Sequence, residues 1–362
     1  MVTLEKAAPA PYSLEARFNP RRNSLNFLRL VLAVSVIVSH SWPLGGYGRN
    51  PGVGNQLLGD WAVDGFFAIS GYLIISSRLN SHSLIDFFWR RVLRIWPAFL
   101  VALLLVAFVA APVSVYVLHD GHFEPLSALS YVGRNAGLVI GQLSIDGTLG
   151  GVPGAPNWNA PLWTLAYEFC CYIGIALVVT VVPRRFLGAA VVILLVGATA
   201  ICCVSTFTHL PVPDSVFALA RLGSFFAAGS GLFAFKGKIP MKLVPAIVAL
   251  VLCVALVVGQ VFDVFGAIPF AYLLMYLGIT LPLQSVGARN DFSYGMYIYA
   301  YPVQLLLIIA LGPRAIPVLL YVALSILLAA PLAIGSWFLV ERNAMSLKRL
   351  TAKGRSSRTA TL

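Results

Sequence analysis

The sequence predicts an all-α polytopic membrane protein with ten transmembrane helices and both termini in the cytoplasm. Three observations carry that prediction. Of 362 residues, 59% are hydrophobic and only 10% charged, whereas a soluble domain carries about 25% charged residues. The apolar residues gather into ten runs, each near the roughly 20 residues that cross a bilayer. The basic residues then sort by side. With the N-terminus inside and every run crossing, 21 of the 25 Lys and Arg fall in inside segments, as the positive-inside rule requires. The net charge of +12 therefore lies in short segments between apolar runs, which speaks against a nucleic-acid partner and for a lipid bilayer.

The runs fall at 24–42, 60–78, 95–117, 160–182, 186–207, 215–235, 242–261, 266–284, 291–311 and 315–340. Residues 1–23 precede them as a basic cytoplasmic segment with Arg17, Arg21 and Arg22 at its end. An apolar core this far from the start reads as a retained anchor, because a cleavable signal places its core earlier. Residues 24–341 form the membrane domain. Its one long connection, 118–159, lies outside and contains the half-apolar stretch LSALSYVGRNAGLVIG. A connection of this length has a function or folds back on the protein. The basic, Ser/Thr-containing residues 342–362 read as a disordered cytoplasmic tail. Cys170, Cys171, Cys202, Cys203 and Cys253 all lie in apolar runs without zinc-site or disulfide-framework spacing, and read as small packing residues.

Several charges sit where lipid should exclude them. In NFLRLVLAVSVIVSHSWPL, Arg29 and His40 are eleven residues apart, or three turns plus about 20°, so they share a face and stand about 16 Å apart along the axis. Ionisable groups at depth face the bundle interior and mark a site. The second run, GDWAVDGFFAISGYLIISSR, has Asp64 near its outer end and Arg78 at its inner end, with Gly71 between them on one face. Asp64 is expected beside His40, where a carboxylate would fix the tautomer and raise the basicity of the imidazole. Gly71 is expected to leave room for something to pass. In DFFWRRVLRIWPAF, Arg90, Arg91 and Arg94 project to one side of a helix at the inner surface. They suit either lipid phosphates or a multiply phosphorylated cytoplasmic cofactor held by Arg forks.

The fourth run opens PLWTLAYEFCCY, which places Glu168 about 10 Å deep. A carboxylate there needs a partner, and Arg221 in the sixth run is the candidate. Trp163 and Tyr167 are candidate pocket residues beside it. In FSYGMYIYAYPVQ, Tyr294, Tyr297 and Tyr301 form a stripe that serves as packing, or lines a polar cavity through Tyr297 and Gln304.

These segments together resemble the acyltransferase family 3 of integral-membrane O-acyltransferases, mostly bacterial. The resemblance rests on the Arg29–His40 spacing, WAVDGFFAISGYLI, RRVLRI, PLWTLAYEF and FSYGMYIYAYPV, in that order along nearly the whole chain. It implies a multi-pass inner (plasma) membrane enzyme that moves an acyl group, most commonly acetyl from acetyl-CoA, to a hydroxyl of a carbohydrate such as a surface polysaccharide or glycoside, with no metal. By position, His40 matches the family's essential histidine and Arg29 its paired arginine. Arg91 and Arg94 match the inner pair linked to the acyl-CoA donor, and Glu168 matches the acid of the fourth motif. Two positions depart from the pattern: Phe169 replaces a frequent second acid, and Ala300 a frequent histidine. Some members add a C-terminal extracytoplasmic hydrolase-like domain, which is not expected here.

The expected mechanism follows from that layout. Arg29, Arg78, Arg90, Arg91 and Arg94 would hold the donor's phosphates, and the pantetheine arm would run along the Gly71 face. His40, oriented by Asp64 or Glu168, would take the proton of the acceptor hydroxyl, with Arg221 and Tyr297 near the developing oxyanion. The alternative reading of the same buried charges is a proton-coupled secondary transporter or glycan exporter.

Overall fold

In the computed structural model, which describes residues 10–152, 154 and 157–352, every one of the ten apolar runs is helical. We number the helices α1 (Leu25–Leu44), α2 (Leu58–Leu79), α3 (Leu84–Leu105), α4 (Pro125–Asn135), α5 (Thr164–Val181), α6 (Leu187–Phe207), α7 (Asp214–Ala234), α8 (Leu243–Val258), α9 (Ala267–Thr280), α10 (Ser293–Leu311) and α11 (Val318–Ser336). Among the described residues, eight apolar helical stretches are long enough to cross a bilayer, the longest running from Leu84 to Tyr116 through a widened turn at Val106–Ala110. α8 and α9, of 16 and 14 residues, reach only about 24 and 21 Å at 1.5 Å per residue. Both are shorter than the sequence suggests. Gly259 and the short helix Phe262–Phe265 interrupt the apolar run between them.

The ends of the helices meet at two faces, as alternating helices demand. At the end that carries the N-terminal segment, here the proximal face, Ser13 bridges to Pro240, Glu15 pairs with Lys236 at 3.0 Å, and Ser24 Oγ donates to the Leu281 carbonyl at 2.7 Å. At the distal face, the hairpin of β1 (Gly52–Val53) and β2 (Gln56–Leu57) is tied to Gln260 through Asn55, and Arg314 Nε donates to the Gly46 carbonyl at 2.6 Å. The long connection does fold back. Its helix α4 packs on α3, Trp96 Nε1 donates to the Ala136 carbonyl at 3.0 Å, and Trp158 is fully buried. Asn159 Nδ2 reaches the Ile298 carbonyl of α10 at 3.0 Å. The expected tail begins as helix, Arg342–Ser346 and Arg349–Ala352, and its remainder lies outside the described residues, as do residues 1–9.

Among these helices α2 and α7 approach most closely, and glycine is the reason. A methyl placed on Gly71 would stand 1.9 Å from the Phe226 carbonyl oxygen, and one on Gly229 would stand 1.9 Å from the Ala68 carbonyl oxygen. Ser230 Oγ donates to the Gly71 carbonyl at 3.0 Å. Small residues let backbones touch where lipid supplies no hydrophobic drive between helices. The expected passage along Gly71 is therefore absent: that face is filled by the backbone of α7. Cys171, Cys202 and Cys253 are buried and all five cysteines are free, as small packing residues should be.

Candidate active site

At the proximal face the arginines of α1 and α3 meet acids that the sequence reading passed over. One oxygen of Asp291, Oδ2, accepts from Arg29 Nη1 and from Arg94 Nη2, each at 2.6 Å. Its other oxygen accepts from Ser293 Oγ at 2.5 Å and from the Ser293 amide at 3.2 Å, at the start of α10. Burial pushes the Asp291 pKa up, but Arg29 and Arg94 together outweigh it and hold it down at about 2. Arg94 Nη1 also donates to Glu341 Oε2 at 3.0 Å. Glu341 arrives there because α11 continues through a widened turn at Trp337–Glu341. That same turn sets the Trp337 ring 5.8 Å from the Arg94 guanidinium, and Trp337 Nε1 donates to Asn290 Oδ1 at 2.9 Å.

Arg91 stands beside Arg94 and faces Tyr172 and Glu168. Its Nε is buried, and it makes no hydrogen bond among the described residues. The five candidate donor arginines are thus not one cluster. Arg29, Arg91 and Arg94 converge. Arg90 is bound to Asp86 at 2.9 Å one turn back, and Arg78 donates to Thr180 Oγ1 at 3.1 Å at the end of α5.

Above Arg29 lies a narrow pocket walled by Phe66, Ser70, Thr164, Glu168, Tyr294 and Tyr297, with about 50 Å³ open to water-sized occupants, room for a few waters. Glu168 Oε1 accepts from Ser70 Oγ at 2.9 Å and from the Tyr172 hydroxyl at 2.5 Å. Its partners are therefore these hydroxyls and not Arg221. Tyr297 is buried, with its hydroxyl 2.7 Å from both the Pro161 carbonyl and Thr164 Oγ1. Trp163 and Tyr167 contact each other edge-on at 5.3 Å outside this pocket, and Trp163 is exposed.

The tyrosine stripe of α10 leads from the pocket toward His40. Tyr301, one turn beyond Tyr297, meets the imidazole edge-on at 5.1 Å. His40 is half-buried, and neither ring nitrogen is hydrogen-bonded among the described residues. Asp64 is not its partner. Asp64 and Gly71 are seven residues apart, so both lie on the α2 face pressed against α7, and there Asp64 Oδ1 accepts from Arg221 Nε at 3.1 Å. Arg221 also lies 3.4 Å from both Asp60 and Asp263, and Gln56 Nε2 donates to Asp263 at 2.7 Å. Among the described residues no group of His, Cys, Asp and Glu is arranged to hold a metal ion.

This geometry can be set beside known proteins. Residues 22–340 match the sequence profile of the acyltransferase 3 family, described as an acyltransferase domain. The chain belongs to the acyltransferase 3 family. It is 28% identical over 335 residues to an O-acetyl transferase of Shigella phage Sf6, covering 90% of this chain and 97% of that protein. It is 26% identical over 314 residues to Nodulation protein 10 of Rhizobium leguminosarum bv. viciae, covering 77% of this chain and 82% of that protein. No solved structure matches it. The protein is a multi-pass membrane acyltransferase, and the transporter reading is set aside.

Among the residues that shape this acyltransferase's site, Asp291, Glu341, Asp60, Asp263 and Ser70 were not expected. One signal for them was present: Asp291, Glu341 and Asp263 adjoin or interrupt apolar runs in a chain with only 13 acidic residues, where a carboxylate needs a partner.

Proposed function

We propose that this acyltransferase moves an acyl group, most simply acetyl, from acyl-CoA at the proximal face to a carbohydrate hydroxyl at the distal face. In this reading the proximal face is cytoplasmic, all ten apolar helices traverse or enter the inner membrane, and both termini lie inside. The observation that carries it is the line from Arg29, Arg91 and Arg94, through the pocket under Tyr297, to Tyr301 and the unbonded imidazole of His40. Arg29 and His40 are eleven residues apart on one helix, so the line is about 16 Å long and suits an extended pantetheine arm. The phage relative bears the name O-acetyl transferase, which supports acetyl as the group moved.

The chemistry asked of the chain is general-base catalysis. A free ring nitrogen of His40 takes the proton of the acceptor hydroxyl as its oxygen attacks the thioester carbonyl. The C–S bond breaks, and the departing thiolate recovers the proton from His40. Arg91, with no carboxylate bonded to it, is the guanidinium most open to a donor phosphate. Glu168, held by Ser70 and Tyr172, fixes the pocket wall. The pocket is too narrow for the arm without side-chain movement, and the Phe66 and Tyr294 walls are the groups to move.

His40→Ala tests the proposal. The variant should insert and melt like the wild type but transfer radiolabelled acetyl from acetyl-CoA to cell glycan at least about 10²-fold more slowly. Labelling at the wild-type rate would reject His40 as the base.

A further inference from the structure

The arginines that resemble a donor-binding set are already neutralised. Arg29 and Arg94 meet Asp291 and Glu341 in direct ion pairs, and the unbonded Arg91 faces Glu168, three positive groups against three negative ones. An anionic ligand gains little from such a site unless one carboxylate gives way. Three observations single out which. Glu168 is tied to two hydroxyls in the pocket wall. Glu341 is 1% exposed and fixed by the turn that ends the last long helix. Asp291 instead sits in the non-helical connection between α9 and α10, is partly exposed, and carries both guanidiniums on one oxygen while Ser293 holds the other.

We propose that Asp291 and an anionic group of the donor are alternative partners of Arg29 and Arg94: Asp291 Oδ2 keeps the two guanidiniums paired and yields them to a phosphate, while Ser293 retains Oδ1 and Glu341 retains Arg94. Two half-buried guanidiniums without an anion are costly, which accounts for a resident carboxylate. Two Arg forks crowded on one carboxylate oxygen leave donor hydrogens unused, and a phosphate offers more oxygens to the same forks. Asp291 thus sets donor affinity by competition and is a positioning residue, since it touches the arginines and not the thioester. This inference rests on the reading of acyl-CoA as donor.

The test uses the purified full chain and coenzyme A itself. If Asp291 leaves the arginines free about a tenth of the time, removing the competition tightens binding about tenfold. Asp291→Asn should therefore melt below the wild type without CoA yet bind CoA about tenfold more tightly, with a larger CoA-induced rise in melting temperature. Glu341→Gln should also melt lower, but with no gain in CoA affinity. Asp291→Asn binding CoA no more tightly than the wild type overturns the proposal. Should that variant not fold, Ser293→Ala carries the test: it loosens Asp291 and should tighten CoA binding two- to threefold, and unchanged or weaker binding is again decisive against it. Wild-type protein that binds no CoA at all would refute the donor reading first, and this inference with it.

Discussion

Adding one methyl group at Gly71 separates two accounts of the α2 face. The built Cβ lies 1.9 Å from the Phe226 carbonyl oxygen, where ordinary contact begins at 3.4 Å. The helices must therefore part by about 1.5 Å at their crossing, because the atom in the way is backbone and has no rotamer to change. Overpacking of this kind costs about 1–3 kcal/mol. Parting the helices also loses the Ser230–Gly71 hydrogen bond, about 1 kcal/mol, while the better helix propensity of Ala returns about 0.5–1 kcal/mol. The net loss is about 1–3 kcal/mol, and it strains the Asp64–Arg221 pair two turns away on the same face. Gly71→Ala should melt several degrees lower in detergent, and the folded fraction should keep its apparent KM for acetyl-CoA. Gly229→Ala should behave alike, while Gly223→Ala and Gly174→Ala, whose methyls meet nothing within 4 Å, should not be destabilised. A Gly71→Ala protein with wild-type melting and a raised donor KM would show that the glycine lines a passage and would refute the packing argument.

Two further outcomes follow from the buried charges. Arg221→Met leaves Asp60, Asp64 and Asp263 facing one another without their shared cation, and should destabilise by about 3–5 kcal/mol, more than Asp64→Asn does; equal melting of Arg221→Met and wild type in detergent would show that the cluster contributes nothing. Asp291 has its pKa lowered from 3.8 to about 2 in the fold, so its contribution of about 2 kcal/mol is fully present above pH 4 and is lost as pH falls toward 2. The stability gap between wild type and Asp291→Asn should accordingly close between pH 4 and 2, and a gap that persists undiminished down to pH 2 would contradict the assignment.

What the sequence made legible, and what it did not, divides along one physical line. Lipid forces every backbone polar group in a crossing segment to be satisfied within that segment, so helix formation is a local fact and each apolar run proved helical. The Arg29–His40 spacing is local too, and it does carry Arg29 into the pocket and His40 to the tyrosine stripe. Partners across helices are not local. Matching depth left His40 and Asp64 as neighbours in principle, but the glycine contact between α2 and α7 rotates Asp64 onto Arg221. Once Arg221 is taken, Glu168 must be satisfied by the hydroxyls of Ser70 and Tyr172. The same reasoning run from the acids would have gone further than it did from the arginines. A carboxylate bordering an apolar run is so costly that its presence implies a cation at its own depth, and Asp291, just before α10, and Glu341, just after α11, stand at the proximal face at the level of Arg29 and Arg94. The arginines that resemble a ligand site are therefore shared with resident anions, and on the proposed reading a donor competes for them.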